Sequence, residues 1–216
     1  DEYTLIKNKL VNLILNTNRI SALREIENQN YDLAILDDGL QDYKISKDLS
    51  IVCFNSNQLV GNGLVLPSGP LRDEISFLKD VDIVLINGKK NLNFEKKILE
   101  LNKNLEIVYS YYKPENIYQF ENRKLLAIAG IGNPENFFQL VEENGLSIEK
   151  KLVFPDHHIF SKSEIENILM EAKSKNYKII MTEKDYYKFK NPTLFNDYFD
   201  ISNFDLNNLH YLKISL

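Results

Sequence analysis

Short, continuously apolar runs alternate with helix-like stretches along this chain of 216 residues. The runs that we expect to form strands are 32–36 (DLAIL), 49–54 (LSIVCF), 81–86 (VDIVLI), 106–111 (EIVYSY), 124–129 (KLLAIA) and 178–181 (KIIM), with a further one at 210–214. Strands that are apolar on both faces and are separated by helices are typical of a parallel sheet with both faces covered. The sequence therefore predicts an α/β protein.

Helices are expected between these runs, at 19–27, 92–101, 134–141 and 163–174. Pro134 suits the first turn of a helix, and Gly145 suits a helix end. Ser161 or Ser163 is the expected N-cap of the helix that follows them.

The length leaves room for one large domain or two small ones. The stretch 114–123 is polar and aromatic without a clean period, and the strand–helix pattern restarts after it. We therefore predict two lobes, 1–113 and 124–216, joined by a linker at 114–123.

Composition excludes several classes of protein. The net charge of −5 argues against binding of nucleic acid through bulk charge. A single cysteine, Cys53, excludes an intramolecular disulfide framework and a multi-cysteine zinc site. No apolar run approaches the roughly 18 residues of a membrane-spanning helix.

Two adjacent acids, Asp37 and Asp38, follow the apolar run 33–36. An apolar strand that ends in a carboxylate is the Walker B pattern, which delivers an acid for Mg²⁺ to the carboxyl edge of a parallel sheet. The alternative, at about even weight, is an acid that caps a turn before Gly39. No Gly-rich loop ending in Gly-Lys-Ser/Thr occurs in the chain.

Two further segments contain candidate site residues. The segment 61–73 has three glycines and two prolines, so we expect a long ordered loop, and it ends in one of only four arginines, Arg72. Arg72 suits a phosphate or a carboxylate, although an ion pair with a neighbouring acid is the simpler interpretation. His157 follows Asp156, which could orient its imidazole, although an exposed loop histidine is the usual case.

Two glycines, Gly130 and Gly132, follow the run 124–129. The segment lacks the third glycine of a dinucleotide fingerprint and the lysine of a P-loop, so we expect a strand-to-helix turn. The segment 182–185 (TEKD) is expected to be a charged turn.

Five segments, taken in order, resemble the tetraacyldisaccharide 4'-kinase family, the lipid A 4'-kinases. They are Leu36-Asp37-Asp38-Gly39-Leu40-Gln41, the loop from Gly61-Asn62-Gly63 to Leu71-Arg72, Ala129-Gly130-Ile131-Gly132-Asn133-Pro134-Glu135-Asn136-Phe137-Phe138, Phe154-Pro155-Asp156-His157-His158, and Thr182-Glu183-Lys184-Asp185. Each is unspecific alone, but five in order are highly specific.

The resemblance implies an incomplete P-loop NTPase-like core lobe and a smaller α/β lobe, with the active site in the cleft between them. It implies transfer of the ATP γ-phosphate, with Mg²⁺, to the 4'-hydroxyl of a tetraacylated glucosamine disaccharide 1-phosphate in lipid A synthesis. The expected partners are this lipid precursor and the cytoplasmic face of the bacterial inner membrane, with no nucleic acid and no obligate protein partner. The chain starts at Asp1 and not at Met, so we expect that the P-loop precedes it and that the chain alone is inactive.

The resemblance also implies roles for individual residues. Asp1 would be the catalytic carboxylate and Glu2 a magnesium ligand, since the family has a Gly-Asp-Glu motif. Asp37 and Asp38 would be the Walker B acids that bind Mg²⁺ and act on ATP through it, and Asp38 would also be a catalytic residue. His157 would support Asp1.

The same resemblance gives roles to four further positions and puts a fifth in doubt. Gln41 matches the family's glutamine at the nucleotide side, and Asn62, Arg72 and Asp73 would lie on the substrate side. The next family residue after the glutamine is usually His, whereas this chain has Asp42, so a local histidine contact is lost.

Two other functions compete with the kinase. The first is a catalytically inactive α/β binding module that kept the kinase scaffold, favoured by the absent P-loop and by Asp42. The second is a phosphohydrolase with Asp37 as nucleophile, which is poor because such enzymes need Asp-x-Asp and the acids here are adjacent.

Overall fold

The structure is a computed structural model, and it describes residues 12–190 and 209–215. These residues form two compact units, Ile14–Tyr112 and Lys113–Ser215, called here the first and the second unit. Among the helices of the described residues, none combines the length and the apolar composition that crossing a bilayer requires.

The first unit contains a three-stranded parallel sheet. Its elements are α1 (Arg19–Asn28), β1 (Ile51–Asn55), β2 (Ile83–Asn87), α2 (Leu92–Leu101) and β3 (Glu106–Ser110), with a 3-10 helix at Ile75–Asp80. The strand order is β1-β2-β3, so the strands are neighbours in chain order. The Asn91 side chain caps α2 by accepting the Phe94 N–H, and Phe94 and Ile98 of that helix are buried against the sheet core.

The second unit contains a four-stranded parallel sheet of order β6-β5-β7-β8. Its elements are β4 (Lys113–Pro114), a 3-10 helix (Ile117–Gln119), β5 (Leu125–Ala129), α3 (Pro134–Glu143), β6 (Ile148–Val153), α4 (Lys162–Lys175), β7 (Lys178–Met181), α5 (Glu183–Lys190), β8 (Leu209–Tyr211) and β9 (Ile214–Ser215). β4 and β9 pair as a short antiparallel ribbon.

β5 lies inside this sheet, and all five of its residues are buried. Successive side chains of a strand point to opposite faces, so Leu126 and Ile128 pack with α4 and α5 while Ala127 packs with α3. The sheet is therefore covered on both faces, and the α/β prediction is confirmed.

Most predicted elements are present within a residue or two of the expected bounds. Pro134 is in the first turn of α3, Ser161 caps α4 in a full capping box with Glu164, and Gly145 has φ +78° just beyond α3. These three positions could be predicted because, at each of them, the residue type satisfies one particular need of the backbone at a helix end.

The strand predicted at 32–36 is wrong for the described structure: no ladder is formed there. Leu33 is 76% exposed and Ile35 is 87% exposed. An apolar run becomes a buried strand only where a neighbouring strand pairs with it and other elements cover it, and the described residues supply neither for this segment.

Three smaller differences concern the second unit. The segment 182–185 is the start of α5 and not a free turn. β6 was not predicted, because its sequence IEKKLV has three charged residues in a row instead of a continuous apolar run. The segment 114–123 contains a strand residue, a 3-10 helix and the fully buried Phe120, and its role as a linker stays a prediction.

Candidate active site

The two acids that follow 33–36 lie in a tight turn in the first unit. Asp38 has φ +50°, a left-handed conformation that costs free energy for any residue with a Cβ. A Cβ added at Gly39 would lie 2.5 Å from the Leu36 Cβ, so the close approach there requires glycine. The backbone therefore turns sharply here, and both carboxylates are exposed.

Side chains from two other segments hold this turn. The Arg19 guanidinium of α1 donates from Nη2 to the carbonyl oxygens of Asp37 (3.3 Å) and Asp38 (3.1 Å). Arg72 Nη1 lies 3.0 Å from the Asp38 carboxylate, and both side chains are more than half exposed. An ion pair this exposed adds little stability, so its effect is mainly on where the two groups point.

The loop 61–73 carries Arg72 to this position. The Asn62 side chain closes the loop on itself: its Nδ2 donates to the Ser68 carbonyl at 2.8 Å and its Oδ1 accepts the Leu64 N–H at 3.1 Å. A Cβ at Gly69 would overlap that amide, so the loop is tightly folded. The predicted substrate contact of Asn62 stays a prediction, and its contacts here are within the loop.

Asp73, the residue after Arg72, accepts a hydrogen bond from Gln41 Nε2 at 3.0 Å. The segment Asp37–Asp42 is called here the acidic turn. The loop 61–73 contacts it at two places, Asp38 and Gln41. An open cavity of about 1010 Å³ in the first unit is lined by both segments and by β1. Asp37, Asp38, Gln41, Arg72 and Asp73 all border it.

Three of the five segments that resemble the kinase family lie in the second unit, at the carboxyl edge of its parallel sheet. They follow β5, β6 and β7, whose carboxyl ends share one edge. Lys184 Nζ lies 3.4 Å from Asp156 Oδ1, which joins the motif after β7 to the motif after β6. A Cβ at Gly132, in the turn after β5, would lie 3.5 Å from Asp156 Oδ2.

A buried carboxylate joins the turns after β5 and β7. Asp185 is fully buried, and its Oδ2 accepts the Gly130 N–H at 2.8 Å and the Thr182 hydroxyl at 2.6 Å. The added Cβ of any other residue at position 130 would lie 3.0 Å from Asp185 Oδ1, so glycine keeps this contact free of crowding. The last residue of the motif after β7 therefore holds the turn of the motif after β5.

His157 is exposed in the loop after β6, with φ +60°. The backbone N–H of His157 donates to Asp156 Oδ1 at 2.9 Å, and the ring nitrogen Nε2 lies 3.8 Å from Asp156 Oδ2. Partial burial opposes the charge of Asp156, but the Lys184 ammonium and the His157 N–H outweigh it, so the pKa of that carboxyl lies below its ordinary value. Asp156 is therefore a charged neighbour of the imidazole at neutral pH.

His158 is packed differently from His157. Its ring stacks on Phe154 with centroids 4.7 Å apart, and its Nε2 lies 3.1 Å from Glu164 Oε1. The two adjacent histidines therefore have different roles: His158 supports the loop, and His157 is presented to solvent.

The predicted site residues fall into three groups. Five of them border one cavity of the first unit, namely Asp37, Asp38, Gln41, Arg72 and Asp73. His157 lies in the second unit, and Asp1 and Glu2 lie outside the described residues. Sequence reasoning did not single out Arg19, although arginine occurs only four times in the chain and that scarcity was an available signal. It also did not single out Asp185, which appeared only as the last residue of the segment 182–185.

Comparisons with known proteins agree with this set of motifs. A family model described as tetraacyldisaccharide-1-P 4'-kinase matches residues 1–212. A tetraacyldisaccharide 4'-kinase of Pelagibacter ubique is 39% identical over 219 residues, covering 100% of this chain and 66% of the relative. The enzyme of the same description from Haemophilus influenzae is 37% identical over 190 residues, covering 87% of this chain and 55% of the relative.

A solved structure shares the fold. The crystal structure described as the apo form of LpxK from Aquifex aeolicus in complex with ATP matches with a TM-score of 0.55 and 18% identity, covering 89% of this chain and 55% of that one. The predicted P-loop kinase-like α/β fold class is confirmed by this likeness. The chain spans between 55% and 66% of the length of the two relatives, and its match over residues 1–212 shows that it belongs to the tetraacyldisaccharide-1-P 4'-kinase family.

Proposed function

We propose that the protein containing this chain transfers the γ-phosphoryl group of ATP to the 4'-hydroxyl of a tetraacylated glucosamine disaccharide 1-phosphate, a step of lipid A synthesis. The observation that carries the proposal is the acidic turn on the cavity of the first unit, in a chain of the tetraacyldisaccharide-1-P 4'-kinase family. The relatives named above are described as kinases of this kind, and the solved neighbour is described as a complex with ATP.

The donor set at the acidic turn suits magnesium. Mg²⁺ usually binds one or two carboxylates, substrate phosphates and several waters instead of a full protein cage. Asp37 and Asp38 offer two carboxylates on an open cavity, and the described residues contain no cluster of three or more His, Cys, Asp or Glu that could hold a metal ion. Asp37 and Asp38, with Glu2, would hold the ion, which supplies charge neutralisation at the phosphates when bound.

The remaining residues of the cavity would act on the nucleotide and the acceptor. Arg72 offers a planar fork for a phosphate, and its exposed ion pair with Asp38 can exchange for one at low cost. Gln41 and Asp73 hold each other at 3.0 Å, which keeps the end of the loop 61–73 beside the acids. Phosphoryl transfer depends on such positioning and charge neutralisation more than on covalent chemistry.

In the second unit, His157 is the candidate for proton chemistry. An imidazole can both accept and donate a proton, and His157 presents one to solvent beside an ionised carboxylate. We propose that it supports Asp1, which would accept the proton of the attacking hydroxyl. The acceptor is a lipid, so we also propose that the protein works at the cytoplasmic face of the inner membrane.

The test is transfer of labelled phosphate from Mg-ATP to the disaccharide acceptor by the protein that contains this chain. Asp37→Ala and His157→Ala should each lower kcat by about 100-fold or more, the usual contribution of an acid–base or charge-stabilising group. Asp80→Ala, an exposed acid at the end of the 3-10 helix of the first unit, is the control for Asp37 and should keep the wild-type rate.

His158→Ala is the control for His157. Because His158 packs on Phe154 and Glu164, its loss should lower stability more than the rate measured on folded protein. Wild-type rates in Asp37→Ala or His157→Ala would overturn the assignment. Binding of the lipid acceptor without any transfer would favour the inactive binding module instead.

A further inference from the structure

Arg19 contacts the acidic turn from the side of α1. One nitrogen, Nη2, donates to two successive carbonyl oxygens, at 3.3 Å to Asp37 and 3.1 Å to Asp38. The other terminal nitrogen, Nη1, lies 3.7 Å from the Asp42 carboxylate. One side chain thus bridges the start and the end of the turn.

These contacts act where the backbone is least favourable. Asp38 has φ +50°, and such a conformation persists only where surrounding groups hold it. The Asp37 and Asp38 carbonyl oxygens belong to the two peptide units on either side of the Asp38 Cα, and one guanidinium nitrogen holds both. Because each carboxylate is attached to this backbone, the fixed peptide units determine where the carboxylates point.

Asp42 is placed to hold the guanidinium. Its Oδ1 accepts the Lys44 N–H at 3.3 Å, and its carbonyl accepts from Lys47 Nζ at 2.8 Å, so the residue is anchored and only 23% of its side chain is exposed. The acid at this position has a clear physical use, although the resembled family usually has His there.

We infer that Arg19 is a positioning residue for the acids Asp37 and Asp38, and that Asp42 is the partner that holds Arg19 in place. The inference rests on the proposed function, because it concerns the ability of these acids to bind a divalent cation.

Two physical effects of Arg19 on a bound cation have opposite signs. A positive charge near a cation site weakens binding by Coulomb repulsion, so removing it would tighten the binding. A residue that orients the ligands strengthens binding, and losing such a group typically costs 10–100-fold in metal affinity. The direction of the change therefore separates positioning from simple charge.

The experiment uses Mn²⁺ as the probe and measures its binding to the whole chain by electron paramagnetic resonance. Arg19→Met should weaken Mn²⁺ binding by about tenfold. Arg19→Lys should give an intermediate loss, since an ammonium keeps the charge but lacks the planar fork. Arg24→Met removes the same charge from an exposed position of the same helix and should not weaken binding.

Asp42→Asn tests the partner. On the wild-type background it should weaken Mn²⁺ binding, and on the Arg19→Met background it should have little further effect, because Asp42 acts through Arg19. A purely electrostatic role of Asp42 would give the same loss on both backgrounds.

The outcomes separate the inference from the proposed function. Wild-type chain that binds no Mn²⁺ would overturn the inference, since these acids would then bind no divalent cation by themselves, and the proposed function would still be decided by the phosphate-transfer test above. Wild-type chain that binds Mn²⁺, with Arg19→Met or Arg19→Lys binding as tightly or more tightly, would overturn the inference alone. Equal losses from Asp42→Asn on both backgrounds would overturn the role of Asp42.

Discussion

Single side chains hold together segments of this chain that are far apart in the sequence. Asp185 ends the Thr182–Asp185 motif, and its carboxylate accepts the N–H of Gly130 from a turn 55 residues earlier. Arg19 and Asp42 form a similar link in the first unit, around the acidic turn. In both cases, a charged side chain satisfies backbone groups of a segment distant in sequence.

The Asp185 link gives a prediction about stability. Asp185→Ala would leave the buried Gly130 N–H and the Thr182 hydroxyl without their shared acceptor, at a cost of about 2–4 kcal/mol in the free energy of unfolding. Asp185→Asn is the control, because its amide oxygen can still accept both hydrogen bonds, and it should cost less than half as much. Urea unfolding measures both, and equal losses in the two variants would contradict the role of the shared acceptor.

Helices and strands were predictable from this sequence where a local signal and a tertiary environment agree. α2 and β7 have the predicted bounds, because a capping asparagine and a short β-branched run each specify one structure. The turn before α3 was also predictable, since Pro134 cannot donate a hydrogen bond and so suits the first turn. The candidate acids were singled out because they directly follow the apolar run 33–36, although that run forms no strand in the described structure.

The predictions failed where the environment was decisive. The run 33–36 is as apolar as β5, but β5 has a strand on each side and 33–36 has no ladder in the described structure. The partial burial of His158 and the exposure of its neighbour His157 also could not be deduced, because the two histidines differ in the side chains that pack on them. The contacts of Arg19 could not be deduced either, because its acceptors are backbone carbonyl oxygens, which give no residue pattern in the sequence.

The exposed run 33–36 leads to a prediction at the element scale. Ile35 is 87% exposed and Ile86 of β2 is fully buried. Ile35→Ala should change the free energy of unfolding of the chain by less than about 0.5 kcal/mol, whereas Ile86→Ala should cost about 2–5 kcal/mol for lost burial and a cavity. Denaturant titration of both variants measures the difference. Comparable losses would mean that 33–36 is a buried strand after all.

For the whole molecule, carboxylates that are stabilised in the folded state make its stability depend on pH. Among residues 12–190 and 209–215, five have a pKa below its ordinary value: Asp82, Glu115, Asp156, Glu164 and Glu171. The cause for Asp82 is hydrogen bonding from the Ser50 hydroxyl and N–H, both at 2.7 Å, and the cause for Glu171 is hydrogen bonding from Lys150 and Lys175. Each of these groups is charged in the folded chain at neutral pH.

The sign of the effect follows from linkage. A carboxyl whose pKa is lower in the folded state favours folding when it is ionised, so its contribution is complete above the unfolded value of about 3.9 for Asp and 4.3 for Glu. The contribution is lost as the pH falls through the lower, folded-state pKa. The free energy of unfolding should therefore be nearly constant from pH 7 to about pH 5 and should fall steadily below about pH 4.

Urea titrations between pH 7 and pH 2.5 measure this dependence. Glu171→Gln should lower the stability at pH 7 and flatten the acid part of the curve, because the variant cannot lose a proton-linked contribution that it no longer has. Glu27→Gln changes an exposed acid of α1 and is the control, which should leave the slope unchanged. Stability that rises as the pH falls from 5 to 3 would contradict the prediction, since the folded state would then bind protons more readily than the unfolded chain.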